Sequence, residues 1–312
     1  MARKKDHSSE IFVSLEQLLK KEHSASFFDY LSHRQKVNTI LTGKHRSKLR
    51  GRGLDFEEVR QYVKGDDIRN IDWKVTARTQ KTHTRVFSEE KEKPTLIVVD
   101  QSKAMFFGSV KYTKSVIAAE LAATVAFSVL KQGDRVGGVI LADEGIDVLM
   151  PKRNRKNILQ FLKTLVQRNQ ELENSTPLPF ENVLEETLRR VNNIATHDFM
   201  VVIIGHFHRY SPKVIKYISQ LSTHNDIVLM KVYDPMEQVL PQTKFIAGNR
   251  THQISVNGSD KALSEVYSEG FNQDFYSFQE EMRKHRIPIL MFDTTEDVDV
   301  QLKQVFKKKG ES

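Results

Sequence analysis

Five short, almost wholly apolar runs punctuate the chain from Thr95 onward, and amphipathic stretches lie between most of them. The runs are "TLIVVD" (95–100), "RVGGVILAD" (135–143), "DFMVVIIGHF" (198–207), "DIVLMKVYD" (226–234) and "IPILMFDT" (287–294). Short β-branched runs without alternation read as strands buried on both faces. The intervening "KYTKSVIAAELAATVAFSVLKQ" (111–132) has apolar residues at helical spacing, and Gly133 closes it. "NRKNILQFLKTLVQR" (154–168), "FENVLEETLRRVNNI" (180–194) and "SPKVIKYISQLST" (211–223) repeat the helical pattern. Strands alternating with helices predict an α/β fold, a mostly parallel sheet with helices on both faces.

Two places break the rhythm. "TKFIAGNRTHQISVNGSD" (243–260) predicts two short strands joined by a turn, a hairpin inserted before a long helix. The first 93 residues do not alternate at all. They predict a short helix near "SLEQLLKKE", a basic loop, and extended "THTRVFSEE" leading into the first buried strand. The expected organisation is a small basic module over 1–93, an α/β domain over 94–305 and a tail over 306–312.

Composition narrows the chemistry. Among 312 residues there is no cysteine, which removes disulfides, thiolate metal sites and cysteine nucleophiles. With 39% hydrophobic and 28% charged residues the chain is able to bury a core. It has no apolar run of the ~20 residues a membrane helix needs, and no apolar core follows the charged "MARKKDHSSE", so a cytoplasmic protein is expected. The formal charge of +8 is uneven: residues 1–93 hold 21 of the 48 Lys and Arg but only 14 of the 40 Asp and Glu. "GKHRSKLRGR" (43–52) is the densest part, a segment suited to nucleic acid or an acidic protein surface.

Asp100 ends the first buried run, where open parallel sheets bind ligands. With Ser102 it forms D-x-S, a carboxylate and a hydroxyl able to face a hard cation. The motif alone is weak, because turns after strands favour both residues. His206 and His208, two apart at another strand end, offer a zinc pair with Asp100 as a third ligand. His23 and His45 have no ligand spacing and read as surface residues. There is no G-x-S-x-G, H-E-x-x-H or Walker sequence.

The longer context carries a resemblance. "RGRGLDFEEVRQYVKGDDIRNIDWKVTART" (50–79), "DQSKAMFFGS", "KQGDRVGG" and "HNDIVLMKVYDPMEQVLP" resemble, in this order, the bacterial domain of unknown function 58 family. Gly65-Asp66-Asp67, Arg69, Asp72-Trp73 and Ala77-Arg78 are the most distinctive part. The resemblance implies a von Willebrand factor A-like domain, in which three loops build a metal-ion-dependent adhesion site. Asp100 and Ser102 match the first loop, but Ala104 stands where the motif has a second serine. Thr176 is the best match to the second-loop threonine, and Gly205-His206 stands where similar domains read Ser-Asp. Mg²⁺ prefers six oxygens and disfavours nitrogen, so a degenerate site is expected, with no cofactor.

The crowded Arg60, Asp66, Asp67, Arg69, Asp72 and Arg78 read as a structural network of arginine–carboxylate forks, with Trp73 as a packing anchor. The resemblance further implies a non-enzymatic adaptor of a MoxR-type AAA+ ATPase. Ser102, Lys103 and His206 are the expected contact residues. A nucleic-acid binder using Lys44–Arg52 and a metal-dependent hydrolase are the alternatives.

Overall fold

The computed structural model describes residues 8–24, 54–89, 93–176, 180–207, 211–248 and 253–307. The chain divides into two units, one formed by Lys44–Glu92 and the other by Met1–Gly43 with Lys93–Ser312.

In the smaller unit, β1 (Leu54–Gln61) pairs antiparallel with β2 (His83–Glu89). Between them lie a 3₁₀ turn, Ile68–Asn70, and a two-turn helix, Trp73–Thr79. Asp72 starts that helix by accepting N–H bonds from Lys74 and Val75, the work of an N-cap. Gln80 ends it in the left-handed conformation.

The larger unit is an α/β body around a six-stranded sheet. Its strands are β3 (Thr95–Gln101), β4 (Val136–Ala142), β5 (Gly145–Lys152), β6 (Met200–Gly205), β7 (Asp226–Tyr233) and, after a hairpin, β10 (Ile289–Asp293). Their order is β10-β7-β6-β3-β4-β5, all parallel except β5, which pairs antiparallel with β4 at the edge. This is the expected mostly parallel α/β architecture, Rossmann-like, with one strand more than the apolar runs predict. The inserted hairpin is also present, β8 (Lys244–Gly248) against β9 (Gln253–Asn257), just before the helix Lys261–Lys284.

Period-two alternation splits the strand side chains between two cores. Ile97, Val99, Ile140, Ile204 and Met230 face the helices Lys114–Lys131 and Arg155–Glu171. Leu96, Val98, Leu141, Ile203 and Leu229 face Phe180–Ile194, Pro212–Ser222 and the end of Lys261–Lys284.

The helix Lys114–Lys131 is buried on nearly all sides. A helix covered all round needs a second layer outside the sheet. The segment Ser8–Ser24 supplies part of it. Val13 and Leu18 are buried in the same core, Val13 N–H donates to Asn169 Oδ1 at 2.8 Å, and Lys21 pairs with buried Glu120 at 2.9 Å. The expected boundary near residue 93 is therefore corrected at its start: the helix near "SLEQLLKKE" belongs to the α/β body. At the other end, the last helix continues to Lys307, past the expected limit of 305.

Candidate functional site

From β3 the chain moves outward to β4 and β5, then returns to the other side of β3 as β6. Strand order therefore reverses at the carboxyl ends of β3 and β6, the place where sheets of this kind bind ligands. Asp100 and His206 meet there. Asp100 Oδ2 lies 3.0 Å from His206 Nδ1, and Asp100 Oδ1 accepts the Ser102 N–H at 2.9 Å. Gly205 permits the approach, since a Cβ at that position would sit 3.2 Å from the Asp100 Cβ. All three polar residues are interior: His206 is 7% and Ser102 3% exposed, and Asp100 is equally buried. Among the described residues the buried Ser102 hydroxyl has no hydrogen-bond partner.

A second cluster adjoins the first through Lys103. Its N–H donates to Asp143 Oδ2 at 2.6 Å, from the end of β4. The Lys103 ammonium donates to the carbonyls of Leu172 and Glu173 and lies 4.8 Å over the Phe106 ring. Ser175 Oγ donates to the same Asp143 oxygen at 3.2 Å. Thr176, the expected second-loop ligand, is exposed, and its neighbour Ser175 is the residue turned inward.

Beneath the His206 loop lies a buried cation that the sequence reading missed. Lys231, on β7 beside Gly205, is 3% exposed and donates to the carbonyls of His206 (2.7 Å) and Phe207 (3.2 Å). Its ammonium sits 5.1 Å and 5.5 Å over the Phe275 and Phe271 rings. Burial lowers its pKa from 10.5 to about 8, with Glu237 opposing and Lys114 adding to the shift. Phe207 takes a left-handed backbone, φ 43°, uncommon for a bulky residue. Its ring is buried against Phe278, and the Lys231 bonds hold its carbonyl.

The expected contact residues are thus placed together but turned inward. The surface above them comes from neighbours: Ala104 and Thr176 are exposed, as are Phe107 (41%) and Val110 (71%). His208, expected as a zinc partner, and the basic Lys44–Arg52 segment lie outside the described residues. Among the described residues no group of three or more His, Asp or Glu is arranged to hold a metal ion.

The arginine–carboxylate network of the smaller unit resolves into two pairs. Arg60 Nη2 donates to Asp66 Oδ1 at 2.7 Å, and Arg85 Nε donates to Asp72 Oδ2 at 2.8 Å. Asp66 has a lowered pKa through the Arg60 bond and then the Val63 N–H. Asp72 is lowered likewise by Arg85 and then the Val75 N–H. Asp67 accepts the Arg69 N–H and caps the 3₁₀ turn. Among the described residues Arg69 and Arg78 form no ion pair, and Trp73, expected as a packing anchor, is 70% exposed. The helix turns Val75 and Thr76 toward its own unit and leaves the Trp73 face outward.

Residues 58–273 match the family model for proteins of unknown function DUF58. The chain belongs to the DUF58 family. Curated relatives of this DUF58 protein include uncharacterized proteins of Mycobacterium bovis and Mycobacterium tuberculosis. Each is 27% identical over 212 residues, covering 68% of this chain and 65% of the relative. The chain thus spans somewhat less than two thirds of those relatives' length. Among solved structures, the conserved hypothetical protein BatB from Bacteroides thetaiotaomicron aligns over 70% of this chain and 100% of its own, at 14% identity and TM-score 0.42. An aerotolerance-related membrane protein from Bacteroides fragilis aligns with the same coverages and identity at TM-score 0.39. In the DUF58 chain itself, no helix among the described residues is long and apolar enough to cross a membrane.

Proposed function

We propose that this DUF58 protein is a non-enzymatic interaction protein with a von Willebrand factor A-like α/β body. Its docking face is the rim above Asp100 and His206, and its partner is an AAA+ ATPase of the MoxR type, as the family resemblance implies. The observation that carries the reading is the state of Asp100. Both of its carboxylate oxygens are already engaged inside the protein, one by the Ser102 N–H and one by His206.

The donor set fits Mg²⁺ poorly. Octahedral coordination needs six oxygens, and the neighbouring strand offers an imidazole nitrogen, already bonded to Asp100 Oδ2, where an oxygen is wanted. Ala104 contributes no oxygen, and Thr176 is exposed. Hydrolysis through Ser102 finds equally little support, since its hydroxyl has no base in hydrogen-bonding reach among the described residues. The Asp100–His206 pair serves better as a rigid base for the loops above it. Phe107 and Val110 provide exposed apolar contacts, and Lys103 ties the β3 loop to the β4 and 172–175 loops.

The test is a titration of the purified full chain with the purified MoxR-type ATPase encoded in the same genome. Saturable binding, or a change in ATP turnover, is expected. An ATPase that neither binds the protein nor responds to it contradicts the adaptor reading.

A further inference from the structure

The span 62–82 of the smaller unit contains five cations and three carboxylates, and the two signs are used differently. Each carboxylate is occupied within the unit: Asp66 by Arg60 and the Val63 N–H, Asp67 by the Arg69 N–H, and Asp72 by the helix N-terminus and Arg85. The cations Lys64, Arg69, Lys74, Arg78 and Lys81 are all exposed, and among the described residues none of them forms an ion pair. Their positive charges therefore face outward. Set among them are exposed apolar side chains, Val63 (61%), Ile68 (68%) and Trp73 (70%). On the helix Trp73–Thr79 the arrangement is continuous. Trp73 and Ala77 form one exposed row and Lys74 and Arg78 the next, each pair one turn apart.

We infer that this surface is a docking site for an acidic, apolar-bearing segment of a partner protein, distinct from the rim of the α/β body. An exposed tryptophan and aliphatic pair ringed by Lys and Arg has the make-up of an interface centre with a charged border. The free cations select a partner of opposite sign and speed its encounter. Single-stranded nucleic acid fits less well, because such sites stack successive bases on several aromatic rings and here one ring is accompanied by two aliphatics.

Trp73 is the only tryptophan of the chain, so its fluorescence reports on this surface alone. The experiment titrates the full chain with a short peptide of Glu and Asp interspersed with Leu and Phe. Oligothymidylate and phosphatidylserine vesicles are titrated in parallel. A saturating blue shift with the peptide is expected. It should weaken when salt rises from 0.1 M to 1 M, where the screening length falls from about 10 Å to about 3 Å. The double variant Lys74→Glu/Arg78→Glu should bind about tenfold more weakly, since two attractive charges become repulsive. Ile68→Asp should also weaken binding, and both variants should melt like wild type because the altered side chains are exposed. Tighter binding of oligothymidylate or of vesicles than of the peptide would overturn the assignment. So would an unshifted spectrum with all three, or peptide binding indifferent to both variants.

Discussion

Replacing Lys231 with Met removes a buried ammonium from under the His206 loop, and its consequence for stability has a definite sign and pH range. Lys231 titrates near 8 in the folded protein against 10.5 ordinarily, because burial disfavours the charged form. Below pH 8 both states hold the proton, and the fold carries the full penalty. Between about 8 and 10.5 the unfolded chain binds the proton and the folded one releases it, so stability rises with pH. Above 10.5 the penalty is gone. At 1.36 kcal/mol per pKa unit, the rise amounts to about 3 kcal/mol. Lys231→Met has no such linkage, although it leaves the His206 and Phe207 carbonyls without their donor at every pH. Urea denaturation of both proteins, followed by circular dichroism at pH 7, 8, 9 and 10, isolates the effect. The constant loss of two hydrogen bonds cancels in the pH dependence, as do the titrations of shared tyrosines and lysines. The wild-type stability should gain on the variant by most of that amount across the series. A difference between the two proteins that stays flat to within about 1 kcal/mol would refute the placement of a charged lysine in an apolar cage.

Four further outcomes follow from the packing and from the donor set around Asp100. Leu18 is fully buried against the helix Lys114–Lys131, so Leu18→Ala should cost about 2 to 5 kcal/mol in chemical denaturation, a loss not expected if Ser8–Ser24 were a detached arm. Asp234 is fully buried and accepts from Ser109 N–H and Oγ, Thr294 Oγ1 and Met236 N–H, so Asp234→Ala should cost about 3 kcal/mol or more. Burial opposes its ionisation, but the bonds from Ser109 and Thr294 prevail and hold its pKa below 3.8; its ionic contribution is present above that value and is lost as pH falls through the folded pKa, so the gap between wild type and Asp234→Asn should narrow in acid denaturation. Thermal melts in millimolar Mg²⁺ and in chelator should coincide, whereas an ion at 100-fold its Kd would add about 2.7 kcal/mol.

The central strands were legible because strands buried on both faces leave continuous apolar runs, and β3, β6 and β7 are buried almost throughout. The edge strand β5 was not, since Val148 and Met150 lie exposed and its burial follows no simple pattern. The segment Ser8–Ser24 left a fainter signal in its partner: "VIAAELAATVAF" is apolar on every side of the helix, which calls for cover beyond the sheet. At the candidate site, Asp100 and His206 stood out as polar residues ending apolar runs. Asp143 ends "VILAD" in the same way, and Lys231 interrupts "DIVLMKVYD" with a lone cation; both signals were available. The Asp72–Arg85 pair was hidden because it joins a helix cap to a strand 13 residues away. Trp73 was misplaced for a different reason. Aromatic bulk favours burial, but this helix is only two turns long and spends its inward face on Val75 and Thr76.

Docking at the rim above Asp100 and His206 rests most directly on Val110, the more exposed of the two large apolar side chains that the β3 loop presents. The decisive measurement is the affinity of Val110→Asp, beside wild type, for the purified MoxR-type ATPase at constant Mg²⁺, with the melting temperature of each protein as control. A charge placed at an apolar contact should weaken binding by about tenfold or more, about 1.4 kcal/mol, with melting unchanged. Unchanged affinity for a normally folded Val110→Asp protein would contradict docking at this rim.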